Sequence, residues 1–174
     1  MKSFLTERLL LRGWRPLDAA PLAAMNADPA VMCYIGSGPR SPETALAEAE
    51  DFIASAPDEA QGLWAIEDRE TGAFHGWAGL FPLEEGPEIE IAYRLPQASW
   101  GRGIASEAAA RLLAFGFQER GLERIVAVTH PENHASQRVL EKLGLVYHDT
   151  RKAYGMSGCF YYRLGQVPTG RNPL

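Results

Sequence analysis

Two glycines, Gly101 and Gly103, lie where a strand-like segment gives way to a long helix-like one. Because glycine has no Cβ, a ligand can approach the main chain closely at such a turn. The amides of a helix N-terminus are free to donate hydrogen bonds and carry partial positive charge. The N–H groups of residues 102–106 and the guanidinium of Arg102 could therefore bind a pyrophosphate. A strand-to-helix turn that binds no ligand is the alternative interpretation of the same spacing.

Two better-known phosphate motifs do not fit this turn. The dinucleotide pattern GxGxxG requires a third glycine where the chain has Ser106, and no acidic ribose ligand follows in a parallel β–α–β unit. The P-loop ending GK[ST] does not occur in the sequence. A phosphate bound here would therefore be held in a way that differs from both motifs.

Histidine and cysteine form no metal-binding pattern. His130 and His134 are four residues apart, but Pro131 interrupts any helix that would align them, and no HExxH motif is present. Cys33 and Cys159 lie far apart without a CxxC spacing, which favours free thiols in a reducing compartment. We therefore expect no metal site.

The composition fits one compact domain that spans residues 1–174, with a core of about 6–167. A net charge of −5 argues against a nucleic-acid-binding protein and suits a cationic substrate. Glu84, Glu85, Glu88 and Glu90 could attract a protonated amine. For the first two, a solvated loop before a strand is the alternative.

The sequence also carries no membrane or secretion signal that we can identify. No apolar run approaches the ~18 residues of a membrane span. The first residues, MKSFLTERLLLR, contain the acidic Glu7 and no small-residue cleavage site. We expect a cytoplasmic protein with no membrane partner.

Hydrophobic periodicity predicts the element order β-α-α-β-β-β-α-β-α-β-β. This order indicates an α/β (α+β) fold with a mixed, mostly antiparallel central sheet of about seven strands and helices on both faces. Helix 41–57 should present Leu46, Ala49, Phe52 and Ile53 to the core, and the tail after Pro168 should be loose. The predicted strands are 6–14, 63–68, 74–81, 88–95, 125–129, 145–153 and 159–166, and the predicted helices are 16–26, 41–57, 105–120 and 135–143.

Three segments in this order resemble the GNAT superfamily of N-acetyltransferases, in particular the branch that includes ribosomal-protein N-terminal (alanine/serine) acetyltransferases. They are TERLLLR at 6–12, EIAYRL into WGRGIASEA at 90–108, and NHASQRVLEKLGL at 133–145. The resemblance covers nearly the whole chain. It implies a single N-acetyltransferase domain that binds acetyl-CoA, with no metal.

The resemblance also implies which residues bind the coenzyme. In the family, the loop that WGRGIA resembles binds the pyrophosphate, and the preceding strand pairs with the pantetheine arm. On this basis the phosphates are assigned to Arg102, Gly103, Ile104, Ala105 and Ser106. Tyr93 and Leu95 are assigned to the pantetheine.

Two further residues, Asn133 and Ser136, are similar to family residues that lie near the pantetheine and the sulfur. Asn133 would contact the pantetheine, although an asparagine before helix 135–143 is also a good N-cap. Ser136 would donate a proton or hydrogen bond to the leaving thiolate, or would be an ordinary first-turn serine. Many members of the superfamily use a tyrosine as general acid on this helix, where the chain has Leu140, so that assignment does not transfer.

Glu90 is the carboxylate expected to remove a proton from the amine, directly or through a water. It lies on the strand beside the expected thioester, and a solvated strand glutamate is the alternative. A thioester is already activated, so positioning should dominate the catalysis. An α-amine, with a pKa of about 7.7 to 8.0, needs less help to become neutral than a lysine at about 10.4.

The leading hypothesis is transfer of an acetyl group from acetyl-CoA to a primary amine by direct attack. The acceptor is a protein N-terminal α-amine or a small molecule, and the chain is a monomer or a homodimer. A non-catalytic acyl-CoA sensor or binding module with the same fold is one alternative. A domain that binds ATP or NAD through the glycine turn is another.

Overall fold

The computed structural model of the chain describes residues 2–55, 62–84 and 86–165. The 3-10 turns cover Pro16–Asp18 and Gln97–Ser99. The helices are α1 (Ala19–Ala27), α2 (Pro29–Met32), α3 (Pro42–Ser55), α4 (Ile104–Gln118) and α5 (His134–Lys142). The strands are β1 (Phe4–Leu5), β2 (Leu9–Arg12), β3 (Leu63–Asp68), β4 (Phe74–Pro82), β5 (Ile89–Arg94), β6 (Arg124–Thr129), β7 (Val146–Ala153) and β8 (Met156–Gly165).

The eight described strands form one sheet in the order β1-β2-β3-β4-β5-β6-β8-β7. Neighbouring strands run antiparallel except β5 and β6, which are parallel. This arrangement confirms the predicted mixed, mostly antiparallel sheet. The described residues contain one strand more than the predicted number.

The additional strand arises at the N-terminus, where residues 6–14 were predicted to be one strand. Thr6 instead makes a turn: its main-chain N–H donates to the Leu9 carbonyl at 2.9 Å, and its Oγ1 accepts from the Leu9 N–H at 2.9 Å. β1 then pairs with β2, with Phe4 opposite Leu11. The prediction was wrong because alternation of apolar residues does not reveal a turn made by a side-chain hydroxyl.

Two details of the first helices also differ from the prediction. α2 was not predicted; it begins at Pro29, and the Asp28 side chain caps it by accepting from the Ala30 N–H at 2.9 Å. In α3 the buried residues include Ala45, whereas Leu46, predicted to face the core, is 41% exposed. The predicted helix end at Pro57, the strand end at Gln166, the tail after Pro168 and Glu85 all lie outside the described residues.

Helices cover both faces of the sheet, as two neighbouring residues of β4 show. Ala78 belongs to the core that α4 closes with Ala108 and Leu112. Trp77 points to the opposite face and packs against the cluster formed by α1 and α3. Side chains on either face of the central strands can therefore be covered by helices. No helix in the described ranges is both long enough and apolar enough to cross a bilayer.

β5 and β6 diverge at the centre of the sheet. They share a single residue pair, Glu90 opposite Val126, whereas β4 and β5 pair from Trp77–Arg94 to Pro82–Ile89. Beyond Glu90, β5 has no strand neighbour on its β6 side within the described chain. In sheets of this kind the gap at the carboxyl ends of parallel strands is a common place for a ligand.

Candidate active site

The N-terminus of α4 forms an open main-chain cradle beside this gap. Gly101 and Gly103 adopt left-handed conformations with φ of 70° and 77°, and no atom of another segment lies within 4 Å of a Cβ placed on Gly101. No side chain caps the helix, and its first internal hydrogen bond runs from the Glu107 N–H to the Gly103 carbonyl at 3.0 Å. The amides of residues 104–106 precede that bond and can donate to a ligand.

Residues of the N-terminal segment hold this cradle in place. Glu107 accepts hydrogen bonds from Thr6 Oγ1 at 2.6 Å and from the Arg8 main-chain N–H at 2.9 Å. The Arg8 guanidinium also donates to the Arg102 carbonyl at 3.0 Å. Although burial would raise it, these hydrogen bonds lower the pKa of Glu107 below its ordinary value. This role was not predicted, although Thr6 and Arg8 lie in TERLLLR and Glu107 lies in WGRGIASEA.

A groove of about 480 Å³ runs from the cradle along α5. Four of the five residues predicted to bind phosphates line it, namely Gly103, Ile104, Ala105 and Ser106. Arg102 is exposed and does not line it. Tyr93, Leu95 and Asn133, which were predicted to contact the pantetheine, all line the groove.

The opposite wall of the groove carries two cations, Arg138 and Lys142, which the sequence analysis did not single out. They lie four residues apart on α5, so they share one face of that helix. The main-chain amides of the cradle can donate to phosphate oxygens, and the two cations lie along the same groove. Together they fit the phosphates of coenzyme A. The residues present therefore suit the coenzyme that the sequence resemblance implied.

A second cavity, of about 470 Å³, lies on the other side of the gap. Its walls are mostly apolar and aromatic and include Trp77, Phe81 and Met156. Six residues line both this cavity and the groove: Tyr34, Ile35, Tyr93, Arg94, Asn133 and Ser136. The two spaces therefore meet at the place where β5 passes the start of α5.

Three predicted site residues are joined at this meeting point. The Asn133 side chain accepts from the Ser136 main-chain N–H at 3.0 Å, so it caps α5 and also lines both spaces. The Tyr93 hydroxyl lies 3.1 Å from Ser136 Oγ. Burial raises the pKa of Tyr93 to about 12, although the hydrogen bond to Ser136 acts to lower it, and the phenol therefore remains protonated. Leu140, at the position of the family tyrosine, is buried and also lines the second cavity.

Glu90 lies in the second cavity and is only 2% exposed, so it is not a solvated strand residue. It accepts hydrogen bonds from the Tyr154 hydroxyl and, at 3.3 Å, from the Val128 main-chain N–H. Burial raises the pKa of Glu90 to about 7, and both hydrogen bonds oppose that rise. The carboxyl group can therefore exchange a proton near neutral pH.

Tyr154 was missed by the sequence analysis. It occupies the turn between β7 and β8 with a φ of 51°, and its main-chain N–H donates to Glu84 at 2.8 Å. Burial and the adjacent Glu90 carboxylate raise the pKa of Tyr154. The left-handed backbone of this bulky residue is uncommon and aims its ring into the cavity. The rare conformation was not visible in the sequence.

The acidic residues before and within the start of β5 do not form one solvated patch. Glu84 binds the turn at Tyr154, Glu90 is buried, and Glu88 forms an ion pair with Arg151 at 3.1 Å. Its described members are therefore mostly engaged within the protein. The prediction that they attract an amine as a group stays untested.

The histidines and cysteines are also separated. Within residues 2–55, 62–84 and 86–165, no three His, Cys, Asp or Glu side chains are grouped so that they could hold a metal ion. His130 stacks on Tyr34 with ring centroids 5.2 Å apart. Cys33 is exposed and Cys159 is buried, and both are free thiols.

Comparison with known proteins identifies the family. A family model described as an acetyltransferase (GNAT) domain matches residues 8–146. The chain is 34% identical over 161 residues to the uncharacterized protein YkkB of Bacillus subtilis, and the matched region covers 91% of this chain and 93% of that one. It is 32% identical over 151 residues to the uncharacterized N-acetyltransferase YoaA of the same organism, and the matched region covers 86% of this chain and 85% of that one. The chain belongs to the GNAT acetyltransferase family.

Solved structures have the same fold. A GNAT-family acetyltransferase from Bacillus anthracis has a TM-score of 0.80 and 25% identity, with 94% of this chain and 98% of that one covered. Ribosomal-protein-S5-alanine acetyltransferase from Vibrio fischeri has a TM-score of 0.72 and 19% identity, with 99% and 100% covered. Spermidine N-acetyltransferase from Vibrio cholerae, in complex with CoA and spermine, has a TM-score of 0.75 and 18% identity, with 92% and 97% covered. The predicted GNAT resemblance is thus confirmed by the family model, and the last two likenesses concern the fold alone.

Proposed function

We propose that this protein transfers an acetyl group from acetyl-CoA to a primary amine by direct attack, without a covalent enzyme intermediate. The observation that carries the proposal is the meeting of two spaces at Tyr93 and Ser136. On one side lies a groove with a main-chain cradle and two cations, and on the other a cavity with a buried carboxyl group. One space suits a phosphate-bearing donor, and the other suits a small acceptor group.

Acetyl-CoA would supply an activated thioester and a thiol that leaves readily. Residues 103–106 and the cations of α5 would bind its phosphates. The free edge of β5 beyond Glu90 would bind the pantetheine through main-chain hydrogen bonds. Binding along this path directs the reactive end to the junction of the two spaces, where orientation supplies most of the rate enhancement.

Glu90 would accept the proton that the amine loses. A new bond forms between the amine nitrogen and the acetyl carbon, and the bond from that carbon to sulfur breaks. The proton leaving the nitrogen passes to the Glu90 carboxylate, directly or through one water. With a pKa of about 7, the carboxylate is available at and above neutral pH.

Tyr93 and Ser136 would stabilise the departing sulfur. Their hydroxyls lie 3.1 Å apart, so either one can orient the other. The Ser136 hydroxyl would donate a hydrogen bond to the departing thiolate and keep its proton, and Tyr93, which remains protonated, would supply a hydrogen bond to Ser136. Tyr93 would thus support Ser136 from β5, whereas many family members use a tyrosine on the helix as the general acid itself.

A two-part experiment tests the proposal. First, the melting temperature of the purified protein is measured with acetyl-CoA, ATP and NAD, because a ligand that binds the native state raises it. We expect a rise with acetyl-CoA alone. A rise with ATP or NAD instead would contradict the cradle assignment. Second, release of the free thiol of CoA is followed with and without added amines. Binding without amine-dependent release would favour the acyl-CoA sensor over the enzyme.

A further inference from the structure

One basic side chain at the junction of the two spaces is not explained by the proposed chemistry. Arg94 lies on the same face of β5 as Glu90, and it lines both the groove and the second cavity. Its guanidinium donates one hydrogen bond, from Nη1 to the Asn26 amide oxygen at 2.9 Å, and lies 5.4 Å from the centre of the Trp77 ring. Neither neighbour carries a negative charge.

One nitrogen of this partly buried guanidinium is left without a partner among the described residues. The Arg94 Nε is buried and has no hydrogen-bond partner in the described part of the chain. Nor does any described carboxylate form an ion pair with Arg94, since Glu90 is bonded to Tyr154 and Val128 instead. Burial first, and the nearby charge of Arg40 second, lower the pKa of Arg94 to about 10, so it remains a cation at neutral pH.

Another arginine of the same protein shows how a buried cation is normally accommodated. Arg12, which is 4% exposed, is paired with Asp18 at 2.7 Å and with Glu67 at 2.6 Å. Buried charges are costly unless an opposite charge and hydrogen bonds compensate them. Arg12 obtains that compensation from within the fold, whereas Arg94 is only partly buried and lines two open spaces with no described carboxylate beside it. This contrast points to a ligand anion as the missing partner of Arg94.

We propose that Arg94 binds a carboxylate of the acceptor, and that the acceptors are small amines carrying such a group, of the amino-acid class. This inference rests on the proposed acetyl transfer and narrows its acceptor. A guanidinium binds a carboxylate through two parallel hydrogen bonds, which would fix the amine beside it. The mostly apolar and aromatic cavity walls suit an apolar side chain on the same molecule.

The same charge disfavours the other acceptors. A polyamine would place a second ammonium group near the positive charges of Arg94 and Arg40. A neutral peptide N-terminus offers no carboxylate next to its amine. Both would leave the Arg94 guanidinium uncompensated on binding.

The experiment compares phenylalanine, leucine and methionine with their carboxamides, which keep the amine and side chain but lose the negative charge. Thiol release from acetyl-CoA gives kcat/KM for each, with spermidine and a neutral tripeptide as further acceptors. We expect the acids to exceed their carboxamides by about 10- to 100-fold, the range for hydrogen bonds to a charged group. Arg94→Gln should abolish that ratio by lowering kcat/KM for the acids only.

Arg163→Gln is the matched control. Arg163 also has a buried Nε without a partner among the described residues, but it lines neither space. Its variant should keep the preference for the acids. The dissociation constant of acetyl-CoA is measured for both variants, because an anion on Arg94 could also be a phosphate of the coenzyme. An unchanged constant in Arg94→Gln supports the acceptor carboxylate, whereas a weakening with the acid-to-carboxamide ratio intact overturns the inference.

Equal rates for acids and carboxamides in the unmodified protein would also overturn it, while leaving the acetyl transfer itself standing. If acetyl-CoA binds but no amine is acetylated, the proposed function fails separately. The melting temperature of the CoA-bound protein with phenylalanine or phenylalaninamide then decides the role of Arg94. A rise with the acid that Arg94→Gln removes supports it, and no difference between the two compounds refutes it.

Discussion

Replacing Glu90 with glutamine should stabilise the protein, and the amount should depend on pH. Burial raises the pKa of this carboxyl from 4.5 to about 7, a rise of about 2.5 units. At 1.36 kcal/mol per unit, the ionised form costs about 3 kcal/mol more in the folded chain than in the unfolded one. Glutamine keeps the shape of the protonated acid and has no charge to bury. We therefore expect Glu90→Gln to raise the free energy of unfolding by about 3 kcal/mol above pH 7.

The gain should disappear in acid. Between the unfolded value of 4.5 and the folded value of about 7, the folded protein binds more protons at Glu90 than the unfolded chain does. This group therefore makes the stability of the unmodified protein fall as pH rises through that window, and beyond it the cost is constant. Near pH 4 Glu90 is largely protonated in both the folded and the unfolded chain. The unmodified protein and Glu90→Gln should therefore have similar stability.

Glu88→Gln provides a control of opposite sign from the same end of β5. Although burial would raise it, the hydrogen bond from Tyr161 and the charge of Arg151 lower the pKa of Glu88. Such a carboxylate stabilises the fold above its unfolded pKa, and the contribution is lost as pH falls through the folded value. Glu88→Gln should therefore destabilise the protein at pH 7, with the difference shrinking in acid.

Urea unfolding of the three proteins at closely spaced pH values from 4 to 8.5 measures these differences. Subtracting the curve of the unmodified protein isolates each site, because other carboxylates titrate alike in all three. A Glu90→Gln curve parallel to that of the unmodified protein would show that Glu90 does not change its ionisation near neutrality. Glu90 would then lack the raised pKa that suits a base near neutral pH. If Glu90 is the base, the variant gains stability and loses amine-dependent turnover, an exchange common at active sites.

Two further substitutions test the donor side. Gly103→Val should weaken acetyl-CoA binding by about tenfold or more, because a branched side chain is strained at a φ of 77° and would lie over the free amides. Gly121→Val, at a φ of 65° beyond the other end of α4, carries similar strain and should leave the dissociation constant unchanged; equal effects would refute the cradle. Ser136→Ala should lower kcat about tenfold or more while the KM for acetyl-CoA changes little. The reverse pattern would make Ser136 a binding residue only.

Much of the fold could be predicted from local patterns. β3 was predicted with its observed bounds, 63–68, and the predicted helix 105–120 is α4, which spans Ile104–Gln118. These segments combine strong periodicity with clear end signals, such as Gly121, which has the positive φ expected past a helix end. The N-terminal hairpin was missed because it depends on the side chain of Thr6 rather than on any periodicity.

The cradle could be predicted for the same reason, since its glycines, helix start and strand end are neighbours in sequence. The remaining contacts of the site join distant residues. Tyr154 reaches Glu90 across 64 positions, Arg94 reaches Asn26 across 68, and Thr6 reaches Glu107 across 101. Each bond depends on where the sheet and its helices place two segments. No spacing rule in one sequence could have paired them.

The alternation in β5 was misleading for a related reason. In a sheet with one solvated face, a strand that reads Glu-Ile-Glu-Ile exposes its glutamates, and this supported the alternative of a solvated Glu90. Here that face is covered as well: Arg94 contacts Asn26 of α1, and Tyr154 from the turn between β7 and β8 covers Glu90. A charged residue on a central strand is costly when helices cover both faces, and it persists where something else is gained. The predicted helices on both faces already contained this information. Combined with the alternation, they would have marked Glu90 and Arg94 together as charged residues on a covered face, where both line the second cavity.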